Sequence, residues 1–395
     1  MTDQLIDILP ELLNAGLNRH EALEAVRSVL LASSAHKVQK RTYNLTNGTD
    51  VVAQAGYNKK NILTKLLVPL SLWPQAQAAI ITDISSPKTQ VARTIMFSYR
   101  ELDATYTVPD WIQIRPVQLT LKDMTGLGSL SKSYAAGVPF PFVLEVEYQS
   151  STLCLLESHR RMTAVDKARF LLATLIDIPV FTLLTPYTWA FIDNSYALVR
   201  CGMADGLEEA SLDSFSDVSD LTQMTPTPTE EYYNRLGIGS KNFCVPDLGY
   251  LYSNFMRLSE LDQGKFLGCC ANIHNAASPS IHWSQKLLLL VSAIEHLIDI
   301  NEQCDKCNSN IGVAKGFKDF LSQHVCPPLE VQAIYDAIYS NRSKITHGAW
   351  NPEVNEPFMS LHSIDETRGL TAWASAKKGA VNWLIAQSCD RTNAD

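Results

Sequence analysis

The hydrophobic pattern changes partway along this chain, and that change constrains the fold more than any other feature. Between residues 51 and 149, short runs of β-branched and aromatic residues alternate with Pro and Gly, which is typical of β-strands. After about Lys241, apolar residues recur three and four positions apart, the spacing of amphipathic helices. We predict strands at Ile80 to Ile84, Val91 to Tyr99, Trp111 to Leu121 and Phe142 to Tyr148.

The residues that flank the β-rich stretch add helices to it. Apolar residues at helical spacing over Leu5 to Ala35 predict two short helices, and Met162 to Ile176 predicts a third. Short apolar runs at Val180 to Leu184 and Tyr187 to Ile192 predict further strands. We therefore expect an α+β N-terminal region rather than alternating β-α-β units.

The C-terminal part is predicted to be helical, and short connections between its helices imply a bundle. The segment Asp205 to Glu231 holds eight acids and no base and is rich in Ser and Thr, so it cannot easily bury a core. The predicted domains are an α+β region at 1–203, an acidic Ser/Thr/Pro linker at 204–240 and a helical bundle at 241–395. The predicted helices are Leu248 to Leu258, Asp262 to Asn275, Ile281 to Ile300, Val313 to His324, Leu329 to His347 and Ile364 to Ala386.

The composition excludes several classes of protein. A formal net charge of −8 disfavours coating of nucleic acid by bulk electrostatics. No apolar run approaches the roughly 20 residues that cross a bilayer, and the N-terminus lacks the pattern of a secretory signal. The nine cysteines are an odd, scattered set that suits reduced thiols. We expect a cytoplasmic protein without membrane contact, and we interpret the basic stretch from His36 to Lys65 as a solvated helix face.

The strongest local signal lies at the end of the predicted helix Leu329 to His347, where Arg342-Ser343 precedes His347-Gly348. Gly348 can adopt the left-handed conformation that closes a helix. On an ideal helix Ser343 and His347 share a face, whereas Arg342 and His347 are about 140° apart. Basic residues in a last turn also complement the helix dipole, which is the alternative explanation of this pattern.

These residue types suit the cleavage of RNA, because the 2′-hydroxyl of the substrate is itself the nucleophile and no metal or other cofactor is required. The imidazole of His347 can take or return a proton near neutral pH. The guanidinium of Arg342 can hold the phosphate through paired N–H donors and stabilise the phosphorane. Ser343 can orient His347 or the phosphate through its hydroxyl. The expected products are a 2′,3′-cyclic phosphate and a 5′-hydroxyl.

The surrounding pattern resembles the HEPN superfamily, and in particular its Apea-like branch. There a late helix carries Arg-Ser-x-x-x-His-Gly, matched here by Arg342 to Gly348, and an upstream helix carries an apolar-Glu-x-Leu segment, matched by Val291 to Leu297. The resemblance covers about Asp247 to Ser388. Many active HEPN nucleases place Asn, Asp or His after the Arg, whereas this chain has Ser343.

The resemblance implies a helical bundle that pairs about a two-fold axis, so that a homodimer brings two Arg/His motifs into one composite ribonuclease site. Because many HEPN proteins are toxins or phage-defence nucleases, we expect an endoribonuclease that the N-terminal region regulates. The alternative is an inactive HEPN module that binds RNA or a partner protein.

The resemblance also assigns roles to single residues. Arg342, Ser343 and His347 are the predicted catalytic residues. Glu295 joins them either by pairing with Arg342 or by tuning His347, and its alternative role is a solvent-facing helix charge. Asn341, which precedes the motif, and Lys344, which lies within it, are predicted to contact RNA.

A second candidate site is a set of four potential zinc ligands. Cys304-x-x-Cys307 is followed by His324 and Cys326. Zinc thiolate sites use such pairs, but His324-x-Cys326 is an unusually tight spacing for the second pair. Reduced cysteines in the core or in loops are the simpler interpretation, so no metal is predicted and this set is kept as the alternative.

Overall fold

A computed structural model describes residues 4–116, 140–182, 187–192, 197–202, 211–234, 243–278, 281–298, 312–327, 332–347 and 364–392. By the density of internal contacts the chain divides into two compact units. The first unit comprises residues 1–92, 146–166 and 211–215, and the second comprises 93–145, 167–210 and 216–395. The predicted domain boundaries stay a prediction, and the two units divide the chain at other residues.

The first unit is built on a five-stranded antiparallel sheet with the order β1-β5-β4-β3-β2. Three helices pack with it, and the core between them includes Leu12, Val26, Leu66 and Ile80. The strands are β1 (Leu5–Asp7), β2 (Ser34–Gln39), β3 (Thr42–Asn47), β4 (Asp50–Tyr57) and β5 (Leu63–Pro69), and the helices are α1 (Leu9–Asn14), α2 (Arg19–Val29) and α3 (Trp73–Ser85).

Helix α2 illustrates how local sequence sets these elements. The side chain of Asn18 accepts hydrogen bonds from the backbone N–H groups of His20 and Glu21, and the Glu21 carboxylate accepts one from the Asn18 backbone N–H. This reciprocal capping box satisfies donors that an isolated helix start leaves unpaired. The two short helices predicted over Leu5 to Ala35 are confirmed as α1 and α2, although residues 5–7 form β1 instead of helix.

A second sheet has six strands, ordered β10-β6-β9-β8-β7, with β13 also paired to β6. Its strands are β6 (Lys88–Ser98), β7 (Tyr106–Val108), β8 (Ile112–Pro116), β9 (Phe140–Ser150), β10 (Val180–Phe181) and β13 (Ser211–Leu212). A separate hairpin consists of β11 (Tyr187–Ile192) and β12 (Ala197–Gly202), and helix α4 (Cys154–Leu175) follows β9. The mixed α and antiparallel β character expected of the N-terminal region is therefore confirmed.

Two predictions for this region are wrong. Ile80 to Ile84 lies in helix α3 instead of a strand, because Trp73, Ala76 and Ile80 are buried at helical spacing. The basic stretch from His36 to Lys65 lies on strands β2 to β5 and the turns between them, so it is not a helix face. Its lysines are exposed.

The buried carboxylate of Glu145 on β9 organises polar contacts in the second unit. It pairs with Arg93 at 3.1 Å and Arg115 at 3.4 Å, and it accepts hydrogen bonds from Ser216 and Gln113. Burial alone would raise the pKa of Glu145, but the Ser216 hydrogen bonds and the two guanidinium charges outweigh burial and lower it. The carboxylate is therefore held in its charged form.

The described part of the predicted linker, residues 211–234, is packed and structured. Besides β13 and Ser216, it contains helix α5 (Thr229–Asn234), whose Tyr232 and Tyr233 are buried. The Tyr233 hydroxyl donates to the Leu175 carbonyl at 2.6 Å. Two buried aromatic rings offset the acidic composition on which the linker prediction rested.

The C-terminal region is helical, as expected. Helix α8 contacts α7, α9, α10 and α11, and α11 also contacts α6 and α7. Phe266 stacks on Trp383 with ring centroids 6.1 Å apart. The helices are α6 (Leu248–Arg257), α7 (Glu260–Ala277), α8 (Trp283–Leu297), α9 (Val313–Phe320), α10 (Gln332–Thr346) and α11 (Ile364–Thr392), with a π-helical turn at Leu321–Val325. No described helix is long and apolar enough to cross a membrane.

Candidate functional site

Helices α8 and α10 bring Glu295 and Arg342 together. The Arg342 Nη2 donates to Glu295 Oε2 at 2.9 Å, so the predicted pairing of these two residues is present. The side chains are 26% and 15% exposed, respectively. The pair therefore lies at the edge of the helical core, where water screens it only in part.

The second carboxylate oxygen of this pair is left open. Glu295 Oε1 is buried and has no hydrogen-bond partner within the described residues. The Arg342 guanidinium lies 6.0 Å from the ring centroid of Tyr339, one turn earlier on α10, and Tyr339 contacts Phe317 of α9. Burial and the Glu295 charge raise the pKa of Tyr339, against the opposing charge of Arg342. Glu295 and Tyr339 together fix the guanidinium.

His347 follows the last residue of α10 and is exposed. Its backbone N–H donates to the Ser343 carbonyl at 3.1 Å, which continues the helical hydrogen-bond pattern to this residue. In the described part of the chain its imidazole has no hydrogen-bond partner, and neither does the hydroxyl of Ser343. The structure thus places Ser343 and His347 on one turn but does not join either side chain to Arg342.

Asn341 and Lys344, the predicted RNA contacts, differ in exposure. Lys344 is exposed, whereas Asn341 is half-buried. The Thr346 hydroxyl donates to the Arg342 carbonyl at 2.8 Å, which occupies an acceptor at the helix end. Lys344 is therefore open to an anion from solvent, and the assigned RNA contacts stay a prediction.

Among the described residues, most N–H donors of the Arg342 guanidinium have no partner. A guanidinium has five N–H donors, and one hydrogen bond to Glu295 accounts for one of them. The remaining donors can bind a phosphate while Glu295 holds the orientation. The exposed imidazole of His347 can exchange a proton with a substrate that reaches it.

The structure describes only two of the four alternative zinc ligands, His324 and Cys326, because Cys304 and Cys307 lie outside the described residues. His324 is buried and packs on the Phe320 ring at 4.7 Å between centroids, and burial lowers its pKa. Cys326 is exposed and its backbone is in the left-handed region. Its thiol donates hydrogen bonds to the Ser322 and Gln323 carbonyls. Among the described residues no group of three or more metal-ligating side chains occurs. The zinc set stays an untested alternative.

Cys154, Cys244, Cys269, Cys270 and Cys326 are thiols outside any disulfide. Cys269 and Cys270 are buried, and burial raises the pKa of the Cys270 thiol to about 12. Such a thiol stays protonated and unreactive near neutral pH. Reduced cysteines, expected from the sequence, are consistent with this arrangement.

Tyr339 was not predicted as a site residue. The signal for it was its position, because a residue three places before Arg342 lies beside it on a helix. The polar residues of the first unit that line a cavity, among them Arg41 and Tyr57, were not predicted either.

Comparison with known proteins adds no relative. No family model matches the chain, and neither a curated protein nor a solved structure matches it. Within the chain itself, the contact between Arg342 of α10 and Glu295 of α8 joins the two sequence segments singled out above.

Proposed function

We propose that this protein is a metal-independent endoribonuclease of the HEPN type that acts as a homodimer. The observation that supports the proposal most directly is the 2.9 Å contact between Arg342 and Glu295, because it joins the two sequence segments on which the resemblance rests. Lys344 and His347 are exposed near the end of α10, which leaves both side chains available to a substrate.

In the proposed reaction the 2′-hydroxyl attacks the adjacent phosphorus and the bond to the 5′-oxygen breaks. One proton must leave the 2′-hydroxyl and one must reach the departing 5′-oxygen. A single imidazole cannot do both at once, whereas two chains paired about a two-fold axis supply two copies of His347. Arg342 stabilises the charge on the phosphorane through donors that Glu295 leaves free.

Regulation by the N-terminal region is part of this proposal. A nuclease that cuts cellular RNA must be held inactive until a signal arrives, as expected of a toxin or phage-defence effector. A folded N-terminal unit with its own core is suited to receive such a signal.

A second candidate is an inactive module that binds RNA or a partner protein. One observation favours it: Glu295 neutralises Arg342 within the same chain. In this case Lys344 and the free donors of Arg342 would hold the phosphate backbone, and His347 would have no chemical role.

Cleavage of mixed cellular RNA in excess chelator, with mapping of the product ends, tests the proposal. The native chain is compared with Arg342→Ala and His347→Ala, and with His282→Ala as a matched control, because His282 is also exposed and lies outside the motif. We expect cyclic-phosphate ends and a loss of rate of about a hundredfold or more in both motif variants. The control should cut normally.

Cleavage that survives Arg342→Ala, or that chelator abolishes, would contradict the ribonuclease proposal. If no preparation cuts RNA, fluorescence anisotropy with labelled single-stranded RNA separates the candidates. Binding that Arg342→Ala and Lys344→Ala both weaken supports the module, and sedimentation of the same samples reports whether the chain pairs.

A further inference from the structure

A cavity of about 420 Å³ lies in the first unit, between helix α2 and one face of the five-stranded sheet. Pairing of β2, β3 and β4 sets this face, since Ala35 is opposite Leu45 and Tyr43 is opposite Ala55. Directly paired residues of antiparallel strands point to the same side. The cavity is lined by Leu23, Arg27, Ala35, Arg41, Tyr43, Leu45, Ala55, Tyr57 and Asn61.

One wall of the cavity is aromatic. The rings of Tyr43 and Tyr57 meet edge to face, with centroids 5.6 Å apart and planes at 90°. The small side chains of Ala35 and Ala55 leave room beside these rings, and Leu23 contributes apolar surface. A planar ring can stack or pack edge-on in such a space.

Several polar groups of the cavity have no hydrogen-bond partner among the described residues. Within the described residues, the Arg41 guanidinium and the hydroxyls of Tyr43 and Tyr57 make no hydrogen bond. The Nε of Arg27 is buried and has no hydrogen-bond partner there either. Of these groups only Arg27 Nε is buried, whereas Arg41, Tyr43 and Tyr57 are half-buried. Their donors are therefore available to water or to a ligand that displaces it.

The charges in the cavity favour an anion. No Asp or Glu lines it, and Arg41 has no counter-ion among the described residues. Arg27 is balanced by Glu24, since its Nη1 donates to both carboxylate oxygens at 2.9 Å. Burial, followed by the Glu24 and Tyr43 charges, raises the pKa of Tyr57, so this phenol stays a donor.

Two residues that line the cavity have a left-handed backbone conformation. Arg41 has φ of 70° and Asn61 has φ of 57°, both in the left-handed region. Asn tolerates this conformation, whereas Arg does so rarely. Strained residues of this kind cluster at binding and catalytic sites, where the surrounding structure holds a side chain in a required direction.

We propose that this cavity binds a small organic anion that carries a planar ring. The anionic group pairs with Arg41, and the ring packs against Tyr43 and Tyr57. Ligand pockets typically measure roughly 300 to 1,000 Å³, so this cavity is of a size for one ring with its anionic substituent. Nucleoside monophosphates and aromatic carboxylates share this chemistry.

Isothermal titration of the full chain tests the proposal without reference to RNA cleavage, so its failure is separate from failure of the ribonuclease proposal. The probes are adenosine 5′-monophosphate and 4-hydroxybenzoate, with adenosine, phenol and inorganic phosphate as the corresponding fragments. We expect a dissociation constant below about 1 mM for at least one of the two anions. Its fragments should bind at least about tenfold more weakly, because each makes only part of the contacts.

Two variants place the site. Arg41→Gln removes the charge and Tyr57→Leu removes one ring, and each should weaken binding about ten- to a hundredfold. Lys59→Gln is the matched control, because Lys59 is exposed in the turn before β5 and does not line the cavity. Circular dichroism checks that each variant is folded. If Tyr57→Leu does not fold, the result for Arg41→Gln alone tests the proposal.

Three results would overturn the proposal. The first is that neither anion binds at about 10 mM. The second is that a neutral or ring-free fragment binds as tightly as the whole probe. The third is that Arg41→Gln binds the probe as tightly as the native chain does. Binding of one anion that Arg41→Gln weakens and Lys59→Gln leaves unchanged establishes the site and shows whether phosphate or carboxylate is preferred.

Discussion

Replacement of Glu295 by Gln probes the contact that joins the two halves of the candidate site. Glu295→Gln keeps the volume of the side chain but removes its charge, so Arg342 keeps at most a neutral acceptor. Hydrogen bonds to charged groups contribute about 1.5–3 kcal/mol, and a guanidinium that is 26% exposed recovers part of this from water. We expect the free energy of unfolding to fall by about 1–2 kcal/mol.

The same helix offers a matched control. Asp336 on α10 pairs with Lys318 on α9 at 2.7 Å, and these side chains are 60% and 57% exposed. An exposed pair of this kind contributes about 0–1 kcal/mol, so Asp336→Asn should cost less than Glu295→Gln. Urea unfolding followed by circular dichroism measures both variants.

A double-mutant cycle separates the pair from its surroundings. Arg342→Met, Glu295→Gln and the double variant should give a coupling energy of about 1 kcal/mol, since residues in direct contact are not additive. If Glu295→Gln costs no more than Asp336→Asn, or if the coupling is absent, the two residues do not support each other in solution. The reasoning that joins the motif to the upstream helix would then fail.

Three further predictions concern the second sheet and the C-terminal helices. Glu145→Gln should lower the free energy of unfolding by about 3 kcal/mol or more, measured by urea unfolding. Because the pKa of Glu145 is lowered in the folded chain, the difference in stability between the native chain and the variant should disappear as the pH falls through that pKa. Lys377 is fully buried, its ammonium donates to the Ile176 and Asp177 carbonyls, and burial lowers its pKa to about 7. The unfolded chain therefore holds this proton over about pH 7 to 10, so native stability should rise with pH in that window relative to Lys377→Met. Gly379→Ala would place a Cβ 2.7 Å from the Phe320 ring and should lower stability by about 1–3 kcal/mol. Gly264→Ala meets open space and should stabilise helix α7 by about 0.5–1 kcal/mol. Equal effects of the two variants on thermal unfolding would contradict the close packing of Gly379 against Phe320.

Local sequence was sufficient wherever an element depends on its own periodicity. The C-terminal helices lie close to their predicted positions, because apolar spacing and capping residues such as Asp247 and Ser259 are readable along the chain. The candidate motif was visible in the same way, since Arg342, Ser343 and His347 are close in sequence. Periodicity failed at residues 80–84, where a short β-branched run fits a strand or a buried helix equally well.

Tertiary structure decided what no local pattern contains. Glu295 and Arg342 are 47 residues apart, and only the packing of α8 on α10 brings them to 2.9 Å. Residues 211–234 of the acidic segment are packed because Tyr232 and Tyr233 are buried in a core that the composition of the segment does not supply. The cavity beside Arg41 exists only when three strands are in register against α2. Contacts between distant residues depend on how buried faces fit together, and that fit is a property of the whole fold.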